Sequence, residues 1–161
     1  MRRICTMLVA AGFSVLVPVS TWADSGLQPA YGTFFLTAPP TVVSTSTADG
    51  NIVVVVKFNG MTTGTFEGPF TETDREVIHP DGSVTLEGKG VQSGRLGTCG
   101  SGSVPYEGEA TGTIGSLIGR VQTMDQASRT SNSMQIHSVY TFMVPNTATG
   151  LGTYTGTYHC T

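Results

Sequence analysis

The sequence predicts an all-β fold: a single antiparallel up-and-down β-barrel of about eight strands, with a two-sheet β-sandwich as the alternative. Three observations carry this. First, Gly-Thr followed by a large apolar residue recurs at Gly32-Thr33-Phe34, Gly64-Thr65-Phe66, Gly112-Thr113-Ile114, Gly152-Thr153-Tyr154 and Gly156-Thr157-Tyr158. Successive strand side chains point to opposite faces, so the phrase sets Thr on one face and the Gly and bulky residue on the other. Threonine and aromatic rings suit a half-buried pleated surface, and glycine within a strand permits the sharp coiling of a closed barrel. Second, tight-turn sequences separate short runs of alternating polarity. Third, from residue 24 onward apolar residues nowhere recur at helical spacing. Closure also removes the sheet edges through which chains aggregate.

The chain opens with Met1-Arg2-Arg3, an apolar run from Ile4 to about Val19, then Ser20-Thr21-Trp22-Ala23. A positive segment, an apolar stretch and a small-residue site read as a secretory signal peptide over residues 1–23, cut after Ala23. The run is shorter than the roughly 20 residues of a spanning helix, and Pro18 interrupts it. Arg2-Arg3 suggests the twin-arginine route, but Ile4-Cys5-Thr6 gives it little support. The expected location is secreted or periplasmic. Residues 24–161 then form a single β-barrel domain: 161 less 23 leaves 138 residues, enough for one core.

Residues 24–30 read as a loose arm. Strands are expected at Tyr31–Thr37, ended by Pro39-Pro40, and at Thr41–Thr47. After the Asp-Gly turn signal Ala48-Asp49-Gly50-Asn51, Ile52–Phe58 follows. Its valines Val53–Val56 suit a strand covered on both faces, by the barrel interior on one side and an oligomer contact on the other. Asn59-Gly60 reads as a further tight turn, leading to strands Met61–Glu67 and Phe70–Ile78. His79-Pro80-Asp81-Gly82 is strong turn chemistry and opens Ser83–Val91, where Val84, Leu86, Gly88 and Gly90 share one face. Residues 92–103, rich in Gly and Ser, read as a loop or bulged strand. Strands continue at 104–111, 113–124, 134–145 and 150–160, with the polar stretch Asp125–Ser133 as the longest loop.

Cleavage after Ala23 removes Arg2 and Arg3, so the 8 basic residues become 6 against 11 acidic ones, a net charge of −5. With no Lys/Arg cluster left, nucleic acid is not an expected partner, and neither is an anionic lipid surface. Cys5 leaves with the signal. The remaining Cys99 and Cys160 read as one disulfide in an exported chain. A zinc site would need a CxxC spacing that is absent, and a free catalytic thiol would not survive export beside a second cysteine.

Gly64-Thr65-Phe66-Glu67-Gly68, the stretch from His79-Pro80-Asp81-Gly82-Ser83 to Gly90, and the closing Gly150-Leu151-Gly152-Thr153-Tyr154-Thr155-Gly156-Thr157-Tyr158 carry a resemblance. Together they resemble the small bacterial barrel proteins grouped with the allene oxide cyclase-like and DUF3224-type domains. The resemblance implies an eight-stranded antiparallel barrel similar to the calycins. Plant cyclase members close a ring in an unsaturated epoxy fatty acid within an apolar barrel cavity. No cyclase catalytic residue can be matched onto this sequence, so that activity does not carry over, and most bacterial relatives have no assigned activity. Lipocalins and avidin-like proteins lean on cavity tryptophans; the only Trp here is Trp22, in the signal segment.

Motifs for familiar chemistries are absent. His79, His137 and His159 do not stand at metal-ligand spacing, and neither HExxH nor GxSxG occurs; no metal and no cofactor are expected. Glu67, Glu87, Glu107 and Glu109 fall in or near strands. Glu67 and Glu87 are the acid/base candidates if two carboxylates face an interior that raises one pKa. The sequence does not say which face is inside, and a one-residue slip reverses every assignment. Glu72, Asp74 and Glu76 share one face and read as an exposed edge.

The aromatic pattern is more informative. Ile136, Tyr140, Phe142 and Val144 share a face, as do Tyr154 and Tyr158, while Phe66 and Leu86 lie on the apolar faces of their own strands. These side chains either fill a small barrel or line a cavity for a small apolar ligand. In the second case Phe66, Leu86, Tyr140, Phe142, Tyr154 and Tyr158 are the lining and the Tyr hydroxyls the polar handles. The expected function is binding of a small hydrophobic molecule. The alternatives are a cyclase-type isomerase using the same cavity, and a structural or adhesive surface protein with Val53–Val56 as an oligomer face.

Overall fold

A computed structural model describes residues 26–124 and 136–160. The expected signal peptide and the whole of the expected 125–133 loop lie outside those residues. Nine strands follow in order: β1 (Gln28–Leu36), β2 (Thr41–Ala48), β3 (Asn51–Gly64), β4 (Phe66–Ile78) and β5 (Ser83–Leu96), then β6 (Ser101–Thr113), β7 (Ser116–Thr123), β8 (Ile136–Asn146) and β9 (Leu151–Cys160). Among the described residues the one helical element is a single 3₁₀ turn at Thr147–Thr149. From β2 onward each strand pairs antiparallel with the next, and β1 pairs with both β9 and β3. Eight strands therefore close into a barrel, and β2 stands outside it as a ninth.

Two prolines explain the odd strand. β1 uses the far half of β3, with Gly32 opposite Gly64 and Leu36 opposite Gly60. Pro39-Pro40 cannot donate to a ladder, so β1 stops there. The chain resumes as β2 against the near half of β3, Thr41 opposite Lys57 and Ala48 opposite Asn51. The β2–β3 turn has positive φ at both Asp49 (52°) and Gly50 (79°), the type I′ geometry the Asp-Gly dipeptide favours.

The glycines have a packing role beyond coiling. Large inward rings face inward glycines on the neighbouring strand: Phe70 opposite Gly60, Tyr106 opposite Gly90, Phe34 opposite Gly152 and Tyr154 opposite Gly32. A β-carbon at Gly60 would lie 2.3 Å from the Phe70 ring, at Gly90 2.4 Å from the Tyr106 ring, and at Gly152 2.2 Å from the Phe34 ring. The rings need that space, because the interior of a barrel of this strand number is only wide enough for its own side chains or one small ligand.

One end of the barrel is closed. Ala30, Phe66, Leu96, Val104, Ile136, Tyr154 and Tyr158 form a buried cluster there, with Phe66 and Tyr154 stacked at 5.6 Å. The turn at 97–100 folds across this end. Cys99 within it bonds to Cys160 at the end of β9, and the Thr98 N–H donates to the Tyr158 hydroxyl at 3.1 Å. Because β7 and β8 lie between β6 and β9, the disulfide joins opposite walls. Inside, the Tyr154 hydroxyl accepts from the Phe66 N–H at 2.9 Å and lies 3.1 Å from the Thr63 carbonyl, to which it donates. Tyr154→Phe strands that buried N–H, so equilibrium urea unfolding should show a loss of about 1–3 kcal/mol.

Three expected boundaries are corrected. Asn59-Gly60 is not a turn: β3 runs through it, with Asn59 opposite Thr71 and Gly60 opposite Phe70. The chain turns instead at Gly64-Thr65, where Gly64 has φ 99°, so β4 is one strand over the expected break between Glu67 and Phe70. Of the two readings of residues 92–103, loop or bulged strand, the strand holds over most of the range: β5 extends to Leu96 and β6 starts at Ser101, leaving four residues between them. β6 and β7 are separated by a turn at 114–115, inside the expected strand 113–124.

Candidate functional site: the barrel interior

Above the packed end the interior is hollow. A cavity of about 430 Å³ runs toward the opposite end, within the range of small-ligand pockets. Its floor is Phe66, Phe70 and Tyr154; its mouth is bordered by Pro40, Val42, Ile114 and Thr147. Strand alternation places the lining. From β3, Val54, Val56 and Phe58 face in; from β5, Val84 and Leu86; from β8, Tyr140, Phe142 and Val144. The valine run thus splits, with Val54 and Val56 inside and Val53 and Val55 on the outer face.

Of the six residues expected to line a cavity, Phe66, Leu86, Tyr140, Phe142 and Tyr154 do so. Tyr158 belongs instead to the closed end, where its hydroxyl donates to Gln28 at 2.7 Å. Glu67 and Glu87 both point outward and are exposed. Glu67 pairs with Arg95 on the surface, and Glu87 lies between Arg75 and Glu109 in the outer register. They are not brought together in the interior. His137 and His159 stack on the outer face with ring centres 5.0 Å apart. The His79 ring Nδ1 is 2.9 Å from the Asn51 side-chain oxygen beside its turn. Among the described residues no group of three His, Cys, Asp or Glu side chains converges to hold a metal ion.

The reading of Glu72, Asp74 and Glu76 as an exposed edge is overturned. β4 sits between β3 and β5, and its even-numbered residues face inward from Phe66 to Ile78. All three acids line the cavity, and Asp74 is only 5% exposed. The signal was present: the acids have the same parity as Phe66 and Phe70. Gly68-Pro69, which carries the residue types of a break, lies within the one strand β4.

The acids occupy space made by Gly88 on β5. A β-carbon there would lie 2.4 Å from Asp74 Oδ1 and 2.6 Å from Glu72 Oε1, so both oxygens converge on one point over that glycine. Glu72 Oε2 accepts from the Tyr106 hydroxyl at 3.2 Å, whereas Asp74 Oδ1 is reached by no N–H or hydroxyl donor, and a proton shared with the Glu72 carboxyl is what the pair has in its place. No Lys, Arg or His among the described residues lines the cavity. Burial, reinforced by the neighbouring Glu72 charge, pushes the Asp74 carboxyl up to about 9. Burial also raises Glu72, against the opposing hydrogen bond from Tyr106, and raises Glu76. Tyr106 and Tyr140 are likewise pushed up, mainly by burial and then by the Glu72 charge.

The fold and interior define a class: a closed antiparallel barrel with one sealed end and a ligand-sized apolar interior carrying an acidic wall. No protein-family model matches the chain, and no curated protein matches it. Among the described residues no helix is long and apolar enough to cross a membrane.

Proposed function

We propose that this barrel binds a small hydrophobic molecule in its interior, outside the reducing cytoplasm. The observation that carries the reading is the 430 Å³ hollow with largely apolar walls above a packed floor. A barrel used only as a scaffold gains stability by filling such space, because each unfilled methylene-sized gap costs on the order of 1 kcal/mol. The Cys99–Cys160 bond supports residence in an oxidising compartment, in line with the export signal read at residues 1–23. Kinship with the allene oxide cyclase-like barrels remains part of the proposal, resting on the glycine-rich motifs and the eight-strand closure. Their ring-closing activity is not part of it, since no cyclase catalytic residue can be matched onto this sequence.

The test is saturable binding of an uncharged apolar dye, Nile red, followed by fluorescence. One-site enhancement with a blue shift is expected. Val84→Trp and Leu86→Trp, each filling the cavity while retaining the far-UV dichroism of the parent, should each abolish the enhancement. Dye binding that is unaltered in both folded variants would place it elsewhere and remove the reading.

A further inference from the structure

We propose that the molecule taken into the barrel carries a single protonated amine, held at the Glu72–Asp74 pair, with its apolar part against the aromatic floor. The proposal rests on the ligand-binding reading of the cavity and narrows its chemistry.

The geometry is specific. Asp74 is almost fully buried, faces the cavity, and its Oδ1 is reached by no N–H or hydroxyl donor of the barrel. Unsatisfied buried oxygens are uncommon and costly. Glu72 brings a second oxygen to the same point, and the absence of a side chain at Gly88 keeps that point open. An ammonium group has three donors and no acceptor, which matches two converging acceptor oxygens. Phe58, opposite Glu72 on β3, and Tyr106, whose hydroxyl reaches Glu72, also line the cavity, and aromatic rings nearby favour a cation.

Charge argues the same way. Three acids line one wall, and the cationic side chains of the described residues lie outside: Lys57, Arg75, Lys89, Arg95 and Arg120 are all exposed. A group of buried acids without a counter-charge is less stable than apolar residues of the same size. A cationic ligand turns that deficit into affinity, since charge-assisted hydrogen bonds in a dry site are strong. The same wall disfavours anionic amphiphiles such as fatty acids: an ammonium can take the place of the proton that Asp74 holds at pH 8, whereas a carboxylate brings one more negative charge to a wall of acids.

One hydrocarbon tail with three heads tests this: n-octylamine, n-octanol and n-octanoate, titrated calorimetrically into the full chain at pH 8. The expected order is amine tightest, alcohol weaker by about tenfold or more, and carboxylate weakest. In the Glu72→Gln/Asp74→Asn double variant the amine-to-alcohol ratio should fall toward one, whereas the outer-surface variant Glu87→Gln should retain it. If alcohol and carboxylate bind as tightly as amine, the headgroup inference fails while the cavity reading stands. If none of the three binds, the cavity reading fails with it. Because the wild-type comparison of heads is decisive alone, the proposal survives a double variant that does not fold.

Discussion

Removing the Cys99–Cys160 bond lowers the stability of this protein by about 4 kcal/mol, the chain-entropy value for a loop of this length. The two cysteines are 61 residues apart in sequence, and the bond spans the closed end between walls that share no ladder. The comparison is urea unfolding of the wild type against Cys99→Ser/Cys160→Ser; the double variant avoids leaving one thiol free to cross-link chains. Its midpoint should fall, and its dependence on denaturant should steepen as the unfolded chain expands. Hydrogen exchange should rise first at residues 97–100, because beyond the disulfide that turn is tied to the barrel only by hydrogen bonds: the Thr98 N–H to the Tyr158 hydroxyl, the Gly97 N–H to the Thr65 carbonyl and the Thr98 hydroxyl to the Gln28 side chain. A loss below about 1 kcal/mol would mean that the packed cluster around Phe66 and Tyr158, rather than the covalent tie, holds the end shut.

How much of this architecture is legible in the chain depends on what each residue is for. Asp49-Gly50 and His79-Pro80-Asp81-Gly82 mark true turns because their backbone preferences act locally. In the second, Asp81 accepts from the Ser83 N–H at 2.9 Å and the His79 carbonyl accepts from Gly82 at 2.9 Å. Asn59-Gly60 carries the same local signal but serves a distant demand, the Phe70 ring lying over Gly60. A glycine that clears space for a cross-strand partner cannot be told from one that bends the chain until the pairing is known. Closure is similarly non-local. Pro39-Pro40 shows where β1 ends, but nothing nearby announces that β1 and β2 share the length of β3. The acidic wall escaped for a different reason: alternation is read by assuming polar residues face out, and Glu72, Asp74 and Glu76 do not. Their parity with Phe66 and Phe70 was the only clue, and it becomes visible once β4 is seen as a single strand. Cavity and acids thus arise from the two features that depart from the pattern used to find the strands.

The second large effect follows from that departure: folding stability falls as pH rises from 5 to 8, against the usual behaviour of exposed carboxylates. The folded chain holds the Asp74 proton up to about pH 9, while the ordinary value is 3.8. Between those limits the folded state binds a proton that the unfolded state has released. Stability contributed by this group is fully present below pH 3.8 and is lost as pH climbs toward 9, by at most about 1.4 kcal/mol per pH unit. Glu72 and Glu76 are shifted the same way and act with the same sign above the ordinary carboxylate range. The hydrogen bond from Tyr106 works against the shift of Glu72 without reversing it, and no cationic side chain among the described residues lines the cavity beside the pair. Val56 and Phe58 from β3 and Gly88 and Gly90 from β5 carry no charge, and the titratable neighbours Tyr106 and Tyr140 remain neutral through the window. Asp81, whose carboxyl is lowered by hydrogen bonds from Ser83, loses its contribution only at acid pH, outside this range. Urea midpoints measured at pH 5, 6, 7 and 8 should therefore decline in the wild type. Asp74→Asn, which replaces the carboxyl by a neutral group of the same shape, should flatten the decline and raise stability at pH 8 by about 2 kcal/mol or more. Glu87→Gln on the outer face should leave the slope as it was. A wild-type midpoint that rises over this range, or an equal slope in Asp74→Asn, would mean that water or a counter-ion reaches the pair in the folded state. Saturating octylamine should work against the decline, since a bound ammonium supplies at high pH the positive charge that the proton supplies at low pH.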